Sequence, residues 1–173
     1  TTFRKFDLPM ERTLYQHQEN AIYKAKRGKN LVVSTGTGSG KTESFLIPIL
    51  SELAEEDEMG TLCPGVRALI IYPMNALAND QMERLRKILS NYPAITYGSY
   101  TGQTPKDKKQ ALLEYRRLNN QREPKVNELI CRNDMIATPP HILITNYAML
   151  EYLMIRPTDS TFFNGHYAQY WKY

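Results

Sequence analysis

The stretch Ser34 to Phe45, STGTGSGKTESF, constrains this chain more than any other segment. It lies between an apolar run, NLVVST, and a helix-like continuation, FLIPIL. A strand that ends in a glycine turn and reopens as a helix aims several backbone N–H groups, with the positive end of the helix dipole, at one point. That point suits a phosphate. Gly36, Gly38 and Gly40 let the backbone approach an anion closely, Lys41 reaches the outer phosphates, and the Thr42 hydroxyl is placed to ligate Mg2+. Thr37 and Ser39 complete the loop. The phosphate-loop pattern G-x-x-x-x-G-K-[ST] is met everywhere except its first place, where Thr35 stands instead of glycine. Lys41 and Thr42 together are not explained by a turn that merely tolerates crowding.

Apolar runs alternate with longer mixed segments, the order of strand-helix-strand units, so the spacing predicts an α/β domain built on a parallel sheet with helices on both faces. At 173 residues one domain, 1–173, is expected. A helix is predicted from about Leu14 to Arg27, with NLVVST, VRALIIYP, AITYGSY and HILITN as strands. KTESFLIPILSELAEE should be helical despite Pro48, with a solvated acidic tail. NALANDQMERLRKILS should turn Leu77, Leu85 and Leu89 inward, Thr104 should cap the following helix, and YAMLEYLMI should be the last helix. Residues 119–140 read as an insertion or flexible loop.

Composition excludes several classes. The two cysteines and three histidines are scattered and give neither a disulfide framework nor metal-ligand spacing, which fits a reducing cytoplasm. No apolar run reaches the roughly 18 residues of a membrane span, and the start TTFRKF lacks a signal peptide's apolar core. A formal charge of +4 permits a polyanionic partner without demanding one. Both ends read as cut from a longer chain.

A phosphate loop alone does not separate kinases from motors. Its neighbours do. LYQHQENAI, TGSGKTESFLIPIL, ALIIYPMNALANDQ, YTGQTP and HILITNYAML occur in an order that resembles the first motor domain of superfamily 2 helicases of the DEAD/DEAH-box type, over nearly the whole chain. The resemblance is greatest to bacterial helicases of DNA repair and anti-phage defence. It implies a RecA-like ATP-binding fold using ATP and Mg2+, with Gln18 reading adenine and Arg12 or Tyr15 stacking on the base. It also implies nucleic-acid contacts from Pro73, Met74 and Asn75, from Thr101 and Gly102, and from Thr145 and Asn146. Where the RNA-helicase branch has threonine and arginine after the proline, this chain has Met74 and Asn75, and ALANDQ is nearer the DNA branches. DNA is therefore the expected partner, and no membrane is.

Hydrolysis needs a carboxylate for magnesium, another to orient water, and an arginine for the transferring phosphoryl group. The family's D-E-x-x strand is not found here. AEEDEMG follows a helix, and RNDMIA and RPTDS hold lone aspartates. A truncated RecA-like domain is thus expected, continued in the parent protein by the acidic strand and by a second RecA-like domain with the arginine finger. These residues alone should bind nucleotide weakly and not hydrolyse it. The rivals are a small-molecule kinase on the same loop, which predicts an arginine-rich lid that is not seen, and a nucleotide-dependent binding module without unwinding.

Overall fold

The computed structural model describes residues 6, 13–157, 162–163 and 170–173. They form two compact units, one ending at Leu62 and the other holding Phe6 and the residues from Cys63 onward.

The first unit holds α1 (Gln16–Ala25) and α2 (Lys41–Glu58), which pack on each other. Leu46, Ile49, Leu50, Leu53 and Ala54 recur at helical spacing on α2, and Pro48 is accommodated within it. The helix continues through the acidic run, and Glu56 is buried rather than solvated. NLVVST is not a strand. Val32 is 97% exposed. An apolar run becomes a strand only where a neighbour takes up its N–H and C=O groups, and no described residue pairs with it.

The second unit is a four-stranded, all-parallel sheet in the order β1-β4-β2-β3, formed by β1 (Ala68–Tyr72), β2 (Tyr97–Tyr100), β3 (Glu128–Leu129) and β4 (Ile142–Asn146). Between them run α3 (Asn75–Ile88), α4 (Lys108–Leu118) and α5 (Arg132–Ala137), and α6 (Tyr147–Ile155) follows β4. Leu143 turns to the face where Met135 of α5 and Met149 and Leu153 of α6 pack with Tyr100 and Phe162. Ile142 and Ile144 turn the other way. On α3, which packs on β1, β2 and β4, Ala78, Met82, Leu85 and Ile88 are buried. Helices therefore cover both faces, as expected of this pattern.

Several local expectations change. Leu77 is 39% exposed, because the buried stripe of α3 runs through Ala78, Met82 and Leu85 and so is offset by one residue. Thr104 does not cap α4. Its hydroxyl donates to the Ser99 carbonyl and accepts from the Thr101 N–H, while Asp107 Oδ1 accepts the Gln110 N–H at 3.0 Å as the true cap. Replacing Asp107 with alanine should cost about 1 kcal/mol, read by chemical denaturation. Residues 119–140, read as an insertion, contain β3 and α5. That short strand is invisible to periodicity, because a charged residue, Glu128, points inward.

Glu128 is held by a buried polar cluster. Arg86 donates from Nε and Nη2 to its two carboxylate oxygens at 3.0 and 2.7 Å, and the Tyr115 hydroxyl donates to Oε2 at 3.0 Å. Burial and the Glu128 charge push the Tyr97 and Tyr115 phenols well above their ordinary range, so both stay neutral. Next to it, Asn127 Nδ2 reaches the carbonyls of Leu89, Tyr92 and Ile95. Gly98 is required where β2 meets β3 and α5, since a Cβ there would lie 2.9 Å from both the Leu129 carbonyl oxygen and Met135 Sδ. At the opposite edge, the Tyr173 N–H donates to the Arg67 carbonyl and the Leu69 N–H to the Tyr173 carbonyl, one parallel bridge on the outer side of β1.

Candidate functional site

In the first unit the phosphate loop leads into α2, whose first turn carries no side-chain cap. The Glu43 N–H turns back to the Gly40 carbonyl at 3.2 Å, and the N–H groups of Lys41 and Thr42 before it are among those a helix start leaves open to an anion. Gly40, the N-cap, sits at φ +74°, and a Cβ there would come within 2.5 Å of Gln18 Nε2. Only glycine fits both demands. Thr35, in the place the pattern gives to glycine, has no positive φ, and its hydroxyl lies 2.6 Å from that of Ser39. The departure from the pattern thus ties the loop across its mouth. Lys41 Nζ donates to the carbonyls of Thr35 and Gly36 at 2.9 and 2.7 Å, holding the loop around its own ammonium group. A Cβ added at Gly36 or Gly38 would meet nothing within 4 Å, so the space above these glycines is open. Thr42 follows in the first turn of α2, half-buried.

Gln18 is buried on α1 and its amide is engaged twice. Its Oε1 accepts the Tyr15 N–H at 2.9 Å, closing the start of α1, and its Nε2 donates to the Gly40 carbonyl at 2.8 Å. The glutamine singled out as an adenine reader is therefore, in this structure, the strut between α1 and the phosphate loop. Tyr15 is 51% exposed, its ring stacked on that of His17, and presents an aromatic face beside the loop's strut. Arg12 lies outside the described residues. A Gly40→Ala variant should lose the Gln18 bond and cost about 1–2 kcal/mol, with weaker nucleotide binding, measured by thermal melting with and without nucleotide.

In the second unit, the other candidate residues gather where the parallel strands end. Tyr72 and Asn146 are in register at the ends of β1 and β4, and Tyr100 of β2 is level with Thr145. Carboxyl ends of parallel strands are where open α/β sheets bind ligands. Asn146 Nδ2 donates to Asn75 Oδ1 at 2.6 Å, and Asn146 Oδ1 caps α6 by accepting the Met149 N–H. Two candidates remote in sequence are thereby joined, with exposed Pro73 and Met74 beside them. Burial pushes the neighbouring Tyr72 phenol up, opposed by the charge of Arg84. Thr145 differs from the expectation of a hydroxyl offered to a ligand. It is fully buried, and its hydroxyl donates to the Tyr100 carbonyl at 2.7 Å. Thr101 is buried too, with Gly102 exposed at the tip of its turn.

Sequence reading passed over Arg132, whose Nη2 donates to the carbonyls of Thr101 and Gly102 at 2.8 and 3.1 Å. It lies in the stretch taken for an insertion, and no local pattern marks it. Among the described residues no group of His, Cys, Asp or Glu could hold a metal ion, and no helix is long and apolar enough to cross a membrane.

The chain is 29% identical over 86% of its length to the Druantia protein DruE of Escherichia coli, and 35% identical over 81% to the ATP-dependent helicase Lhr-Core of Methanothermobacter thermautotrophicus. It is also 38% identical over 53% to the ATP-dependent RNA helicase dbp4 of Sclerotinia sclerotiorum. It spans only 12%, 15% and 11% of those proteins. Residues 15–165, which include the phosphate loop and every strand of the sheet, match the DEAD/DEAH box helicase family, and the chain belongs to that family.

Proposed function

We propose that this chain is the nucleotide-binding first motor domain of an ATP-dependent DNA helicase or translocase. The observation that carries the reading is the phosphate loop, with its uncapped helix start, the glycine at φ +74°, and Lys41 poised on the loop carbonyls.

The residues fit a nucleoside triphosphate with magnesium. The first N–H groups of α2 and the open space above Gly36 and Gly38 would take the phosphates. Lys41, on leaving its two carbonyls, would neutralise the outer ones, and Thr42 would supply a hydroxyl to the metal. Bound magnesium would contribute charge neutralisation at the phosphoryl group. Tyr15 offers its ring to the base, while Gln18 holds the loop at a fixed distance from α1. The acidic pair that hydrolysis requires is placed, in this reading, on a further strand at the outer edge of β1, where Tyr173 makes its bridge. A second RecA-like domain would supply the arginine, and nucleotide-driven closure of the two would move the nucleic acid.

The partner is read as single-stranded DNA, held by phosphate contacts at the strand ends of the sheet around Pro73, Met74, Asn75, Gly102 and Asn146. Such contacts are largely independent of sequence. The choice of DNA rests on ALANDQ and on Met74 and Asn75 in place of the RNA branch's threonine and arginine. Equilibrium binding of a fluorescent ATP analogue to the full-length protein tests the nucleotide half. Magnesium-dependent binding competed by ATP is expected, and a protein that ignores the analogue contradicts the reading.

A further inference from the structure

Arg132 is an unusual cation for its position. It opens α5, yet its side chain turns to the loop after β2, with its guanidinium 5.2 Å from the centre of the Tyr100 ring. Nη2 is spent on the carbonyls of Thr101 and Gly102. Nε is buried without a hydrogen-bond partner, and no carboxylate among the described residues pairs with the guanidinium, since Asp134 of the same helix is taken by Lys108.

The turn it holds is otherwise closed. The Thr101 N–H goes to the Thr104 hydroxyl, the Gln103 N–H to the Thr101 hydroxyl, and the Thr104 N–H to the Thr101 carbonyl. The Gly102 N–H is the donor of this turn left without an acceptor among the described residues. The cation also occupies two carbonyl oxygens that would otherwise repel an anion. A guanidinium carries five donors, and Nη2 supplies only two of them.

From this juxtaposition we propose that Arg132 is a positioning and charge-bearing residue for a nucleic-acid phosphate bound at the Gly102 N–H. It fixes the turn through two carbonyls and offers its Nη1 donors to the same anion. The proposal rests on the nucleic-acid reading of the strand ends given above, and adds to it a residue from the segment between β3 and β4.

The test is binding of a fluorescent single-stranded oligonucleotide to the full-length protein across a salt series, for wild type, Arg132→Met, Arg132→Lys and Gly102→Ala. Arg132→Met should bind about tenfold more weakly, with the slope of log K against log salt reduced by about 1. Arg132→Lys should recover the slope but only part of the affinity, since an ammonium group does not reproduce the planar fork. Gly102→Ala keeps the fold, because its methyl meets nothing in the protein within 4 Å, yet it should weaken binding severalfold by standing in the path of the phosphate. Wild-type affinity and slope in Arg132→Met and Gly102→Ala would overturn the proposal alone. So would a loss in Arg132→Met with unchanged slope and a lowered melting temperature, beside normal binding by Gly102→Ala. A wild-type protein that binds no single strand would overturn the underlying reading as well.

Discussion

Lys41→Ala in the full-length protein is expected to lower nucleic-acid-stimulated ATP hydrolysis by at least about 10²–10³-fold, the scale on which removing one preorganised charge-stabilising donor acts. The side chain has no other large task. Its bonds to the Thr35 and Gly36 carbonyls shape the empty loop, but Thr35–Ser39 and Gln18–Gly40 tie the same loop independently. The substitution should therefore leave melting without nucleotide nearly unchanged while removing the shift that nucleotide produces. Lys41→Arg should not rescue, because a planar fork is larger than the ammonium this loop encloses. Steady-state hydrolysis and melting curves on the same preparations separate a lost phosphate contact from a collapsed loop.

Glu128→Gln should be the most damaging single change in the second unit, at about 3–5 kcal/mol. The carboxylate is almost wholly buried while Arg86 is about a quarter exposed (side-chain exposures 1% and 24%), so the lower end is expected. Three donors, Arg86 Nε, Arg86 Nη2 and the Tyr115 hydroxyl, converge on it from α3 and α4, and it lies on β3. A neutral amide offers one acceptor where two stood and turns its NH2 toward a cation. The first structure to loosen should be β3 with the C-terminal half of α4, seen as lost hydrogen-exchange protection there before the β1–β4 pair. An Arg86→Leu, Glu128→Leu double variant should recover much of the loss, because no lone charge then remains buried.

What could be read from the sequence follows from where physical constraint is local. The phosphate loop is legible because its glycines, lysine and threonine are fixed by one contiguous turn, and the structure realises that turn with Gly38 and Gly40 at positive φ. Strands β1, β2 and β4 and helix α6 were legible from apolar runs with clear stops, such as Pro73 after β1. NLVVST has the apolar run of a strand without being one, because being a strand is a property of the partner as much as of the run. β3 escaped for the opposite reason: it is two residues long and is held by a salt bridge to a residue far away in sequence. Leu77 shows the limit of periodicity, since an offset of one residue moves a helix's buried stripe through 100°.

At the site, the placement of Gln18 before the loop is legible in the sequence, but its double engagement with Tyr15 and Gly40 depends on how α1 meets the loop. The Asn75–Asn146 bond, the burial of Thr145 and the reach of Arg132 to the Thr101 turn each join separate strand ends or loops. No local pattern encodes them. Ordered motifs could name the residues at the strand ends, and only the sheet's register shows which of them lie level with one another.

The central claim is that nucleotide chemistry at the phosphate loop is coupled to a nucleic-acid strand bound at the sheet's carboxyl ends. The most direct measurement is the ATP hydrolysis rate of the full-length protein with no nucleic acid, with single-stranded DNA, and with single-stranded RNA of the same sequence. The account predicts a low basal rate raised at least severalfold by DNA and less by RNA. A rate indifferent to both nucleic acids would contradict it.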